Sequence, residues 1–139
     1  MTPSSLTTAY DLDVRYLTER FAVAALNRGV SIEQFLGPLV VDDRRGIRWV
    51  TLDPVADGYT VTEHAAEEPD RDGFADLDNF PPFFPERERA WGWIVGTAPD
   101  AESAMRLARD LVGAAGDRWV NVGIAGAEYL EYRAAQKSA

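Results

Sequence analysis

The chain has 139 residues, no cysteine, one histidine, and a formal net charge of −9 from 23 acidic and 14 basic side chains. That length suits a single domain able to bury a core without covalent staples, and the missing thiols exclude disulfides, zinc–thiolate sites and cysteine nucleophiles. The acidic field repels polyanions, so nucleic acid is not an expected partner: the densest basic cluster, Arg44, Arg45 and Arg48, stands beside Asp42 and Asp43.

Met1 to Ala9 carries no signal-peptide pattern, and no apolar run approaches membrane-spanning length. The expectation is a soluble, cytoplasmic protein without a membrane partner. Tyr10 to Arg28 fits one helix, with Tyr10, Val14, Leu17, Phe21, Ala24 and Ala25 on a face and Gly29 as the stop. The alternation from Tyr10 to Tyr16 also fits a strand that leads into a shorter helix from Thr18. Ser31-Ile32-Glu33-Gln34 has the spacing of a capping box and predicts a short helix through Leu36, ended by Gly37-Pro38.

Beyond Pro38 the apolar period changes to two. Leu39 to Val41, a turn over 42–46, and Ile47 to Leu52 read as a hairpin, and a turn over 53–58 leads into a strand from Tyr59 to His64. Such short connections make these strands antiparallel.

Residues 65–88 have no defensible period. From Glu63 to Glu88 there are nine acids against two arginines, a net of −7, together with Phe74, Phe80, Phe83, Phe84 and Pro81, Pro82, Pro85. A connection of this length is more often a binding loop or lid than an inert link. Four phenylalanines are too apolar for a freely solvated linker, so part of the loop should pack on the sheet.

Arg89 to Val95 is aromatic and β-branched on both faces, the pattern of a central strand. Thr97-Ala98-Pro99-Asp100 then predicts a helix start with Thr97 as the hydroxyl cap. Ala101, Ala104, Met105, Ala108, Leu111 and Val112 form one helical stripe ended by Gly113, and Trp119 to Ile124 reads as the next strand. The small residues Gly92 and Gly123 should let the alanine-rich helix approach the sheet. Glu128 to Gln136 predicts the last helix. The expected fold is therefore α+β: a single domain with a mixed sheet of about five strands, antiparallel hairpins near 39–64 and a β-α-β unit at 89–125, packed against an N-terminal helix and the 100–113 helix.

Chemistry-bearing patterns are few. His64 is the sole candidate for histidine acid–base work, and Glu63, Glu67 and Glu68 beside it favour its protonated form. No serine stands in a nucleophile elbow. Asp70-Arg71-Asp72-Gly73 opens like a calcium loop but lacks the later ligands, and the amides of Gly123 to Gly126 suggest at most an anion site. No cofactor is expected, no metal ligand set is assigned, and catalysis is not the favoured reading.

Two functions compete. One is a non-catalytic acidic interaction module, resembling in size and charge the immunity or antitoxin proteins that inhibit a basic partner, with Asp76, Asp78, Phe80, Phe83 and Phe84 as its contact residues. The other is a small-molecule-binding domain or enzyme with an aromatic pocket of Trp49, His64, Trp91 and Trp93, lidded by the 65–88 loop. Self-association into a homodimer through a sheet face or edge is a further expectation.

Overall fold

In a computed structural model of the chain, residues 15–68, 76–85 and 92–138 are described. The elements run α1 (Glu19–Asn27), β1 (Ile32–Val41), β2 (Arg44–Val55), β3 (Gly58–Glu67), a 3-10 turn (Leu77–Asn79), β4 (Trp93–Ala98), α2 (Ala101–Val112), β5 (Val120–Asn121) and α3 (Ala125–Ser138). The five strands form one sheet in the order β4-β3-β2-β1-β5. The α+β fold with five strands and packed helices is the one predicted, but the sheet is not mixed: every neighbouring pair is antiparallel. β4 and β5 run in the same sense, yet they lie at opposite edges, so the β-α-β unit spans the whole width of the sheet.

The predicted helix over 31–36 is instead the start of β1, and its polar residues explain the difference. Ser31 Oγ donates to Asp53 Oδ1 at 2.8 Å. Gln34 accepts from the Ala115 amide at 2.7 Å and donates to the Ala115 carbonyl at 2.8 Å. Side chains that would cap a helix locally are used by partners far along the chain. Gly37-Pro38 does not end the element either: the β1–β2 register shifts between Phe35 and Gly37, where Gly37 has φ +106°, so the pair makes a bulge.

α1 begins as the shorter of the two predicted helices. Thr18 Oγ1 accepts from the Phe21 amide at 3.2 Å, and Leu17 N–H donates to the Trp119 carbonyl at 2.8 Å, outside any helix. Its inward face is Ala22, Ala25 and Leu26, with Phe21 left exposed; residues 10–14 of the predicted element lie outside the described residues. α2 buries its predicted stripe except at Leu111, which is 51% exposed, and its cap is Asp100, whose Oδ1 accepts from the Ser103 amide at 2.8 Å, while Thr97 belongs to β4.

Two cores result. On one face α1 and α2 cover Ile32, Val50, Leu52 and Val61. On the other, α3 and the 76–80 segment cover Ile47, Trp49, Ala66 and Val120. β4 is an edge strand, not a central one, with Ile94 62% exposed. The helix approaches it at Gly96, where a Cβ would meet the Leu107 side chain. Gly92 instead lies against the backbone of Glu63 and the His64 ring, and a Cβ on Gly123 would point into open space, so no helix approaches the sheet there.

The described end of the long loop is fixed to the free side of β3 beyond β4. Glu67 N–H donates to the Pro81 carbonyl at 2.8 Å and Phe83 N–H to the Ala65 carbonyl at 3.0 Å, around a bridge between Ala66 and Pro82. These two bonds carry the chain over the sheet edge from the α3 side, with Phe80 and Phe83 buried in the protein interior.

Candidate functional site

The period-two pattern of β1 and β2 sends Glu33, Phe35, Trp49 and Thr51 to the α3 side of the sheet, since Phe35 pairs with Trp49 and Glu33 with Thr51. His64 pairs with Trp49 from β3. Its ring stacks on the indole with centroids 4.9 Å apart and planes 3° from parallel. His64 Nε2 lies 3.1 Å from Thr51 Oγ1, which donates its own proton to Asp53 Oδ2 at 3.1 Å. A hydroxyl has one proton, so Nε2 carries the hydrogen toward Thr51. A polar chain therefore runs from His64 through Thr51 to Asp53, where Ser31 also donates.

His64 is 6% exposed, and burial lowers its pKa to about 4, with the Asp53 charge opposing only in part. The imidazole is neutral at pH 7. This corrects the expectation that neighbouring carboxylates hold it protonated: desolvation outweighs them.

Glu33 is 7% exposed and reaches the start of α3 from β1. Its Oε2 accepts from the Gly123 amide at 2.9 Å and the Ala125 amide at 3.0 Å. The predicted anion at these amides is thus the protein's own carboxylate, set against the positive end of the helix dipole. Further along, α3 is fixed by two arginine–tyrosine–glutamate clusters. Arg118 donates to Tyr16 Oη at 2.6 Å and to Glu128 Oε2 at 2.8 Å, and Tyr16 donates to the same oxygen at 3.1 Å. Arg133 donates to Tyr129 Oη at 3.0 Å and Glu68 Oε2 at 3.2 Å, and Tyr129 donates to Glu68 Oε2 at 3.1 Å. Burial pushes both phenols above their ordinary pKa.

Between these parts lies a cleft of about 350 Å³ lined by Glu33, Trp49, Asp76, Leu77, Val122, Gly123 and Gly126. The sheet supplies Glu33 and Trp49, the loop supplies Asp76 and Leu77, and the β5–α3 turn supplies the rest. Asp76 is exposed, and its Oδ2 accepts from the Asn79 side-chain Nδ2 at 2.5 Å. Val122 and Ile124 stand exposed on the same turn.

Of the predicted contact residues, Asp76 lines this cleft, and the backbone of Asp78 forms part of the adjoining 3-10 turn. Phe80 and Phe83 do not offer a surface. Phe80 packs edge-on to Tyr129 at 5.4 Å, and Phe83 is fully buried, with the Arg44 guanidinium 4.0 Å from its ring centre. Phe84 is half-buried and meets Trp93 edge-on at 6.0 Å. Of the predicted pocket, Trp49 and His64 come together, but Trp93 sits on β4 away from the cleft, while Trp91 and the calcium-like Asp70-Arg71-Asp72-Gly73 lie outside the described residues. Glu33 was missed because its sequence neighbours mimic a helix cap, and Val122 because a lone apolar residue in a strand–helix turn carries no signal, whereas Gly123 and Gly126 stood out only as a candidate anion site. No helix among the described residues is long and apolar enough to cross a membrane. No protein-family model, curated protein or solved structure matches the chain.

Proposed function

We propose that this chain is a non-catalytic, acidic protein-interaction module, similar in design to immunity and antitoxin proteins, that binds a basic protein partner. The observation that carries the reading is the acid-lined cleft with the exposed apolar turn Val122 to Ile124 at its mouth. Phe80 and Phe83 serve as the loop's own anchors. They fix the acidic loop to the sheet, and the cleft with its rim takes over the contact role assigned from sequence to the phenylalanines. A net charge of −9 speeds encounter with a basic surface, and a partly apolar rim slows release.

The test is affinity capture from native cells at 50 and 300 mM salt, followed by quantitation with Asp76→Lys. Salt-weakened binding of a basic protein, further weakened by the charge reversal, is expected. Capture that is indifferent to salt and to Asp76→Lys overturns the reading.

The partly apolar lining of the cleft favours a second reading, a small-molecule-binding domain, because Trp49, Leu77 and Val122 line it together. A metabolite that raises the melting temperature in proportion to its concentration, with no protein captured, selects that reading.

A further inference from the structure

We infer that the cleft between the β5–α3 turn and the 76–77 segment is a receptor for a neutral amide group, whose carbonyl oxygen accepts from the Trp49 indole N–H and the Gly126 backbone N–H; in resting on the proposed function, it takes that amide from the basic partner. Two donors in the cleft wall carry the inference. The leading amides of a helix must find acceptors outside it. Around the start of α3, the Gly123 and Ala125 amides meet Glu33 Oε2, and those of Ala127 and Glu128 meet the Ile124 carbonyl. Gly126 lies between them, buried and lining the cleft, and among the described residues nothing accepts from its amide. Trp49 is 4% exposed and lines the same cleft. Its indole N–H has no acceptor among the described residues either. The nitrogen is not one of the enclosed side-chain polar atoms that lack a hydrogen bond, so it is reached from outside, through the cleft that the ring lines. The stacked His64 ring keeps the indole from turning away. Buried donors without an acceptor are costly, and a group that enters the cleft relieves that cost.

Charge decides what the acceptor is. Glu33 is already held by two backbone amides and asks nothing of a ligand, but its charge and that of Asp76 repel a carboxylate or a phosphate. An ammonium group brings donors only and leaves the Trp49 and Gly126 N–H groups as they are. A neutral carbonyl oxygen has two lone pairs and answers both. Asp76 selects an amide over a ketone or an ester: one of its oxygens accepts from Asn79, and the carboxylate has capacity left for the N–H of a ligand. Leu77 and Val122 give apolar contact to the carbon chain that bears the amide. The volume of about 350 Å³ lies at the small end of ligand sites and suits an asparagine or glutamine side chain better than a nucleotide or a cofactor.

The experiment titrates the full chain with butyramide, and with butyrate and butylammonium as charged counterparts of similar size, following backbone amide resonances and the Trp49 indole N–H by NMR. Saturable downfield shifts of the Trp49 indole and Gly126 N–H resonances with butyramide, and at least tenfold weaker binding of the two charged probes, are expected. Trp49→Phe keeps a ring against His64 but removes the donor, and should weaken butyramide about tenfold. Asp76→Ala, at an exposed position, should weaken it about threefold and reports even where Trp49→Phe fails to fold. Equal binding of the three probes overturns the inference, and so do indole and Gly126 resonances that no probe moves, as donors serving water alone would give.

Two further arms separate this inference from the function it rests on. If butyramide binds in the cleft but no basic protein is captured, the partner reading fails and the site takes a free amide. If butyramide does not bind there, while a basic protein is captured with the same affinity by wild type and Trp49→Phe, the proposed function stands and the cleft inference falls.

Discussion

The neutrality of His64 has a thermodynamic consequence that can be measured. In the unfolded chain the imidazole takes up a proton near its ordinary value of 6.5, whereas in the fold it does so only near 4. Between those values the unfolded state binds more protons, so stability is fully present above about pH 6.5 and is lost as pH falls toward 4. From pH 7 to pH 5 the loss is about 2 kcal/mol for one such group. Urea unfolding at pH 7, 6 and 5 should show this slope in the wild type and lose most of it in His64→Gln. A free energy of unfolding flat over that range would mean that the ring takes up its proton in the fold as readily as in the unfolded chain. The comparison ends at pH 5 because below it carboxylates contribute their own terms, among them Glu131, whose pKa the Arg15 guanidinium lowers.

At the scale of elements, the loop is tied to the sheet by a few buried groups, and two adjacent phenylalanines have different tasks. Phe83 is fully enclosed: a Cβ on Gly46 would collide with its ring, and Arg44 covers it. Phe84 is half-buried beside Trp93. Phe83→Ala should cost about 3–5 kcal/mol in urea unfolding through the cavity it leaves, and Phe84→Ala well under half of that. Equal costs would mean that Phe83 is not enclosed. The same contrast shows what could be read from sequence. The hairpins, the α2 stripe and the stop at Gly113 were legible because each is decided by residues three or four apart or by a local turn. β1 was not, because the partners of Ser31, Glu33 and Gln34 lie between 22 and 92 residues away. Nor was the cleft: the acidic loop and Trp49 were visible as parts, whereas Glu33 joins them only once β1 pairs with β5. The edge position of β4 was hidden for a similar reason, since α2 packs against it and Phe84 meets Trp93, giving an outer strand the two-sided apolar pattern of an inner one.

Across the whole molecule, excess negative charge opposes folding while the ion pairs of α3 favour it, and salt acts on the two differently. The net charge of −9 spread over a small domain repels itself through water, and that repulsion is screened beyond about 8 Å at physiological ionic strength. The pairs that hold α3 are shorter and partly enclosed: the side chains of Arg133 and Glu68 are 15% and 21% exposed, and that of Glu128 only 3%. Salt screens such contacts much less. Raising sodium chloride from 10 to 300 mM should therefore stabilise the fold by about 1 kcal/mol, a rise of a few degrees in melting temperature for a domain of this size. Potassium chloride should do the same, because screening does not depend on which monovalent cation supplies it. Tyr16→Phe, which removes one donor from the Glu128 carboxylate, should lower the melting temperature at every salt concentration without changing the slope. A melting temperature that falls as salt is added would mean that the ion pairs around α3 contribute more than the repulsion costs, and that the acidic surface places little strain on the fold that carries it.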